Sequence, residues 1–179
     1  MVVSQEIRQK LLPIKALIMD VDGVLTDGRI QIDDHGIESK AFNVRDGHGL
    51  KLLKRFDLKT VFLTGRHSRI VSNRARELNI DLVYQRCHNK LTAYHAILKR
   101  LSITNLQTAY IGDDIVDLPV LSQVGFSATV ADADQEVLDS VHWISDYPGG
   151  SGAVRQLCQL ILEAKGLWPE VMRRYRSNA

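Results

Sequence analysis

Short apolar runs alternate with helical patterns along this chain, and this alternation restricts the possible folds more than any other feature. The runs at 16–19, 59–65 and 108–114 are typical of buried strands, the second ending in a hydroxyl and a glycine and the third in a glycine and two acids. Between them, apolar residues recur at helical spacing, as in the segment 68–78 behind the N-cap candidate Ser68. Strands that alternate with helices form βαβ units, so the sequence predicts an α/β fold with a mostly parallel sheet covered on both faces.

Further elements follow the same pattern. Strands are predicted at 81–84, 126–130 and 142–144, and helices are predicted from Asp46-Gly47, from Lys90, over 117–124 and over 153–164.

The first strand ends in two acids that are one residue apart, Asp20 and Asp22, followed by Gly23. Residues i and i+2 of a strand share a side, so the two carboxylates repel unless a cation lies near them. Oxygen ligands suit Mg²⁺, and Gly23 lets the backbone turn beside such an ion. The pattern alone favours a strand end with an Asx-turn, which is a very common feature, and only the downstream residues favour the metal site.

Polar residues also lie at the carboxyl ends of the other predicted strands. Thr64 lies at that end of the second strand, Asp113 and Asp114 lie at that end of the strand at 108–114, and Lys90 opens a helix on the same side. Because ligands bind outside the carboxyl ends of such strands, we expect these groups to meet the acid pair in one crevice. Carboxylates, a hydroxyl and an ammonium suit a phosphoryl group held with Mg²⁺, one carboxylate acting as nucleophile and a second moving the proton.

A β-hairpin is predicted as an insertion at about 29–44, because alternating residues flank a turn signal at 33–36. An isolated hairpin is marginally stable, and Ile30, Ile32 and Ile37 would need burial. The chain has no room for a lid domain, so we expect neighbouring subunits to cover both the hairpin and the site. The alternative is a hairpin folded onto its own domain.

Composition narrows the class of protein. The 179 residues suit one domain, 1–179, with a basic, flexible tail at about 168–179. A net charge of +2 is too small to suggest a nucleic-acid partner.

We expect no membrane span and no signal peptide, because no apolar run approaches 20 residues and 1–10 is polar. Cys87 and Cys158 are far apart, which fits free thiols in the cytoplasm.

Four stretches resemble, in order, spacing and strand context, the motifs of the haloacid dehalogenase superfamily. They are Asp20-Val21-Asp22-Gly23-Val24-Leu25-Thr26, Leu63-Thr64-Gly65-Arg66, Lys90 and Gly112-Asp113-Asp114-Ile115-Val116-Asp117. The resemblance implies a three-layer Rossmann-like fold without a cap domain. It also implies that Asp20 is the nucleophile and Asp22 the general acid/base, and that Thr64 and Lys90 hold the phosphate.

The same resemblance implies a Mg²⁺ site. The ion would be bound by Asp20, the backbone carbonyl of Asp22, and Asp113, with Asp114 adjacent to that shell. We expect Asp117 to cap the helix that follows it.

Seven stretches resemble, more narrowly, the family of 3-deoxy-D-manno-octulosonate 8-phosphate phosphatases: 20–28, 42–49, 64–66, 84–85, 89–91, 112–119 and 149–155. That family removes phosphate from an eight-carbon sugar acid during lipopolysaccharide synthesis, and it forms tetramers. The resemblance implies a homotetramer and substrate contacts from Asp22, Asn43, Val44, Arg45, Asp46, Gly47, Lys51, Arg66, Arg74 and Lys90. Lys51 stands where many relatives carry arginine, and Arg74 equally suits a solvated helix face.

Three other functions stay open at this point. The substrate could be another eight- or nine-carbon sugar-acid phosphate. The chain could be a signalling receiver module, which also forms an aspartyl-phosphate, although the region near Thr64 lacks the acceptor Asp of receivers. A catalytically silent subunit is a third alternative, and the intact motifs argue against it.

Overall fold

The structure is a computed structural model that describes residues 4–176. The strands are β1 (Ala16–Met19), β2 (Gln31–Ile32), β3 (Glu38–Ser39), β4 (Lys59–Leu63), β5 (Leu82–Tyr84), β6 (Thr108–Ile111), β7 (Phe126–Thr129) and β8 (Trp143–Ile144). The helices are α1 (Gln5–Leu11), α2 (Val44–Lys54), α3 (Arg69–Leu78), α4 (Lys90–Leu101), α5 (Leu118–Leu121), α6 (Gln135–Leu138), α7 (Ala153–Ala164) and α8 (Trp168–Arg176).

Six strands form one sheet in the order β5-β4-β1-β6-β7-β8, and every neighbouring pair is parallel. The two remaining strands, β2 and β3, pair antiparallel as a separate hairpin between β1 and α2. The predicted α/β fold with a mostly parallel sheet and a hairpin after the first strand is therefore confirmed.

Helices cover both faces of the sheet. All four residues of β1 are buried, as expected for a central strand with both faces packed. Leu17 and Met19 join the apolar cluster that includes residues of α1, α2, α3, α7 and α8. Ile18 points to the opposite cluster, which includes residues of α4, α5 and α6. The alternation of side chains along one short strand thus separates two cores.

The register of the central strands brings the predicted site residues to one edge. Met19 of β1 is level with Phe62 of β4 and with Ile111 of β6. The chain segments that follow these three residues therefore leave the sheet side by side, at its carboxyl edge.

Three predicted helices have the expected boundaries, whereas α2 begins earlier than predicted and α5 (Leu118–Leu121) is shorter than the predicted 117–124. Ser68 caps α3, α4 begins at Lys90, and α7 spans the predicted residues. Helix α2 begins at Val44 rather than Asp46, because the side chain of Asn43 accepts a hydrogen bond from the Arg45 N–H at 2.8 Å and caps the first turn.

The tail expected to be flexible forms a helix instead. Helix α8 buries Val171 against the main core, and the Tyr175 hydroxyl lies 2.9 Å from Nε2 of His48 in α2. The basic composition of this segment concealed its apolar stripe. Residues 177–179 of the expected tail lie outside the described residues. Within residues 4–176, no helix is long and apolar enough to cross a membrane.

Candidate active site

Lys90 lies between two carboxylates at the carboxyl edge of the sheet. It is the first residue of α4, whose N-cap Asn89 accepts a hydrogen bond from the Thr92 N–H at 2.9 Å. Its Nζ atom lies 2.6 Å from Oδ2 of Asp20 and 2.6 Å from Oδ1 of Asp117. All three residues are buried, so each charge depends on the others for compensation.

Asp117 has a larger role than the helix cap predicted from the sequence. Its Oδ2 atom accepts hydrogen bonds from the backbone N–H groups of Asp113 and Asp114, at 3.2 and 3.4 Å, and this does cap a short turn. Its Oδ1 atom also accepts hydrogen bonds from Nζ of Lys90 and from the Tyr110 hydroxyl, and the first of these is an ion pair. The sequence signal was available, since Asp117 is the third acid of one short stretch.

Three carboxylates crowd together beside Lys90. One oxygen each from Asp20, Asp113 and Asp117 lies within 4.8 Å of the others. Burial raises the pKa of Asp20 to about 6; the Lys90 ammonium opposes this rise and the Asp117 charge adds to it. Burial, with the charges of Asp20 and Asp117, raises the pKa of Asp113 to about 8. The group carries more acids than one ammonium neutralises, so it favours a further cation.

The Oδ1 atom of Asp113 gives the strongest indication of a metal. It is buried and has no hydrogen-bond partner among residues 4–176. A buried carboxylate oxygen is costly to leave without a partner. Oxygen ligands at a site with excess negative charge are those that Mg²⁺ prefers, so the residues present fit this ion.

Hydrogen bonds within the loop after β1 hold its conformation. The Val21 N–H donates to Oδ1 of Asp20 at 2.7 Å. The buried Thr26 hydroxyl accepts from the backbone N–H groups of Gly23 and Gly28, both at 3.3 Å. Gly23 has a φ of +88°, a conformation that other residues rarely adopt. The loop is therefore fixed beside the carboxylates it carries.

The hairpin reaches the second acid of the pair. Nζ of Lys40 donates to Oδ1 of Asp22, and it lies 3.3 Å from Oε1 of Glu38. The same carboxyl oxygen of Glu38 accepts from Nη2 of Arg66 at 2.8 Å. Sequence reasoning did not identify Lys40 or Glu38, because nothing in a local pattern indicates where a hairpin folds.

Thr64 lies where the sequence predicted, directly after β4. It is buried, and its Oγ1 atom accepts a hydrogen bond from the Arg66 N–H at 3.3 Å. Its own N–H donates to the carbonyl oxygen of Tyr84 at 3.0 Å. Arg66 itself is exposed and is held by the hairpin.

The structure brings together two of the predicted substrate-binding residues, Asn43 and Arg74. Nη2 of Arg74 donates to the backbone carbonyl of Asn43 at 3.3 Å, and its guanidinium lies 5.5 Å from the ring centre of Phe42. Nδ2 of Asn43 donates to the carbonyl of Gly150 at 3.4 Å. Both side chains therefore lie at the start of α2, next to the loop that precedes α7.

The other predicted residues of α2 divide into two groups. Val44, Arg45 and Lys51 are exposed. Asp46 and Gly47 are buried, and Oδ1 of Asp46 accepts from the Arg155 N–H of α7 at 2.7 Å. The Asp46 carboxylate thus joins two helices, and its predicted contact with substrate stays a prediction.

Comparison with known proteins agrees with this geometry. Residues 80–157 match the family model of haloacid dehalogenase-like hydrolases. A 3-deoxy-D-manno-octulosonate 8-phosphate phosphatase of Yersinia pestis is 45% identical over 163 residues, covering 91% of this chain and 87% of the relative. That of Escherichia coli strain K12 is 42% identical over 164 residues, covering 92% and 87%.

Solved structures agree as well. The Yersinia pestis phosphatase has a TM-score of 0.91 at 44% identity, covering 92% of this chain and 89% of the other. A phosphatase of this type from Moraxella catarrhalis, solved with a magnesium ion, a phosphate ion and a KDO molecule, has a TM-score of 0.93 at 40% identity, covering 95% and 98%. The chain therefore belongs to the 3-deoxy-D-manno-octulosonate 8-phosphate phosphatase family of haloacid dehalogenase-like hydrolases.

Proposed function

We propose that this chain hydrolyses 3-deoxy-D-manno-octulosonate 8-phosphate to the free sugar acid and phosphate, as a step of lipopolysaccharide synthesis. The observation that carries this proposal is the buried contact between Lys90 and Asp20, next to the Asp113 oxygen that has no hydrogen-bond partner among residues 4–176. Such a site suits a phosphoryl group, with a carboxylate as nucleophile. Family membership favours this hydrolase over the receiver module considered from the sequence.

Asp20 and Asp22 have different roles in the two steps of the reaction. A carboxyl oxygen of Asp20 attacks the phosphorus, the bond from phosphorus to the sugar oxygen breaks, and Asp22 gives that oxygen a proton. Water then attacks the phosphorus of the aspartyl-phosphate, the bond from phosphorus to Asp20 breaks, and Asp22 takes the proton from the water. Thr64 and Lys90 donate to the phosphoryl oxygens and stabilise their charge.

Mg²⁺ is the proposed cofactor. Asp20, Asp113 and the backbone carbonyl of Asp22 would hold it. The Oδ1 atom of Asp113, which has no hydrogen-bond partner in the described part of the chain, supports this assignment. When bound, the ion neutralises negative charge on the phosphoryl oxygens and on the carboxylates around them.

Recognition of the sugar acid is assigned to Arg66, Arg74 and Asn43. Arg66 already holds a carboxylate, that of Glu38, so the same guanidinium is able to accept an anionic substrate. The assignments to Val44, Arg45, Asp46, Gly47 and Lys51 stay predictions. Another sugar-acid phosphate remains the alternative substrate. The proposed contacts would recognise the carboxylate of the sugar acid, and they would not distinguish substrates by the length of the carbon chain.

A homotetramer is the proposed assembly, and its support comes from the hairpin. Ile30, Ile32 and Ile37 are 55%, 62% and 64% exposed, an apolar surface that a second subunit would cover. Light scattering should give a tetramer mass for the wild type and a lower mass when all three become serine. Leu106→Ser, at a 70% exposed residue elsewhere, serves as the control. A wild-type monomer at micromolar concentration would contradict the proposal.

The cytoplasmic location also stays a prediction, which cell fractionation would test.

The decisive experiment offers purified protein a panel of sugar phosphates and measures phosphate release. We expect release from 3-deoxy-D-manno-octulosonate 8-phosphate that EDTA abolishes and that Asp20→Asn lacks. Asp139→Asn, at an exposed residue of the described chain, controls for the amide substitution. Metal-independent release, or full activity in Asp20→Asn, would overturn the mechanism. Preference for a neutral hexose phosphate would overturn the substrate assignment alone.

A further inference from the structure

Lys40 is a buried cation in an otherwise exposed hairpin. Gln31 and Ile32 of β2 are exposed, whereas the side chain of Lys40 is only 1% exposed. Burying an ammonium is costly unless opposite charges and hydrogen bonds compensate for the lost water. Here the compensation comes from Asp22 and Glu38, whose side chains are 23% and 21% exposed.

The two carboxyl oxygens of Asp22 differ in their contacts, because only one of them is bonded to Lys40. Oδ1 accepts the hydrogen bond from Nζ of Lys40. Oδ2 is buried and has no hydrogen-bond partner among residues 4–176. One oxygen is thus held by the hairpin, and the other is left to meet a further group.

We propose that Lys40 is a positioning residue for the proton transfers of Asp22. It holds Asp22 through Oδ1, so that Oδ2 is the atom that gives the proton to the sugar oxygen and later takes one from water. This inference rests on the proposed function, because it assigns an orientation to the general acid/base of that reaction.

Glu38 completes the arrangement. It contacts Lys40 at 3.3 Å and Arg66 at 2.8 Å, so one carboxylate links the cation that orients Asp22 to the cation assigned to substrate recognition. The hairpin therefore supplies parts of the site as well as apolar surface for assembly.

Two substrates separate positioning from a general loss of structure. The sugar oxygen is a poor leaving group and needs the proton from Asp22 in the first step, whereas p-nitrophenolate leaves without one. Water attack in the second step needs Asp22 with either substrate. Loss of orientation should therefore slow both steps for the sugar phosphate and only the second step for p-nitrophenyl phosphate.

The experiment compares Lys40→Met with the wild type in Mg²⁺. With the sugar phosphate, we expect kcat to fall about 10- to 100-fold, the scale of a misplaced catalytic group, with little change in KM. With p-nitrophenyl phosphate, rapid mixing should show a burst of p-nitrophenol close to one per active site, followed by a slow phase. Lys40→Arg should restore most of kcat, and Lys99→Met, at an exposed lysine of α4, should match the wild type.

Three outcomes would overturn the inference. They are an unchanged kcat, a raised KM with unchanged kcat, which would mean that Lys40 binds substrate, and equal losses on both substrates without a burst. If Lys40→Met fails to fold, the same measurements on Lys40→Gln test the inference in its place. A wild type that is inactive on the sugar phosphate would overturn the proposed function instead, and the burst with p-nitrophenyl phosphate would still test Lys40.

Discussion

A Cβ atom added to Gly23 would lie 1.9 Å from Oδ2 of Asp113, so the loop after β1 and the loop after β6 approach as closely as a bare backbone allows. The two residues are 90 positions apart by their numbers, 113 less 23. Any side chain at position 23 must displace the carboxylate that we assign to the metal. The spacing of the acids at this edge thus depends on one glycine.

Gly23→Ala should weaken Mg²⁺ activation by about 10- to 100-fold, the scale seen when the support of a metal ligand is lost. The measurement is phosphate release against Mg²⁺ concentration. Gly36→Ala is the matched control, since Gly36 also has a positive φ, +76°, but has no atom within 4 Å of an added Cβ. Each variant should lose about 1–2 kcal/mol of stability from its backbone conformation. Equal metal activation in both would contradict the assignment.

Lys90→Met should remove phosphate release and lower the free energy of unfolding by about 3–5 kcal/mol. The reason is that Asp20 and Asp117 would stay buried without their shared cation. Urea unfolding monitored by circular dichroism measures the stability. The exposed Lys99→Met variant should be neutral in the same assay, and a Lys90→Met protein as stable as the wild type would refute the ion-pair account.

Tyr110→Phe should lower the free energy of unfolding by about 1.5–3 kcal/mol, because its hydroxyl donates to the charged Asp117. Tyr94→Phe provides the comparison, since the Tyr94 hydroxyl bonds only neutral partners in the described chain, at Thr108 and Asn105. We expect about 1 kcal/mol there. A larger loss in Tyr94→Phe than in Tyr110→Phe would contradict the greater strength expected for the hydrogen bond to Asp117.

In metal-free protein, the contribution of Asp20 and Asp113 to stability should fall as the pH rises from about 4 to 8. The pKa of Asp20 is raised to about 6 and that of Asp113 to about 8, both above the usual 3.8. The folded state therefore binds more protons than the unfolded state in this window, and its stability falls as those protons leave. Below about pH 4 both groups are protonated in either state and contribute no slope.

Thermal unfolding in EDTA and in Mg²⁺ checks this expectation. Mg²⁺ should stabilise the protein more at pH 8 than at pH 5, because protons compete with the ion for the same oxygens. Asp113→Asn should flatten the slope in EDTA. Stabilisation by Mg²⁺ that is equal at both pH values would contradict the proposed ligands.

The carboxyl edge of the sheet was predictable from the sequence, and the hairpin contacts were not. Asp20, Thr64, Lys90 and Asp113 each follow or begin an element whose pattern is strong, and the rule for parallel sheets then places them together. Glu38 begins the two-residue strand β3 and Lys40 directly follows it, and so short a strand has no periodicity that reports which element these side chains will contact.

Asp117 and the terminal helices show two other limits. Asp117 was assigned to the cap that it does form, but its contact with Lys90 depends on packing between α4 and the turn after β6. Helices α1 and α8 are short, with Leu11 and Val171 as their buried residues. Helix α1 has few apolar positions, and the three arginines of α8 hide its apolar stripe, so tertiary packing rather than a long periodic pattern stabilises both helices.

The central place of β1 has a consequence for synthesis of the chain on the ribosome. Its two neighbours in the sheet begin at Lys59 and Thr108, so the strand that carries the acid pair leaves the ribosome long before either partner exists. An N-terminal fragment that stops before β6 would expose one whole edge of its most apolar strand. β1 therefore cannot pair with both β4 and β6 until more than half of the chain has been translated.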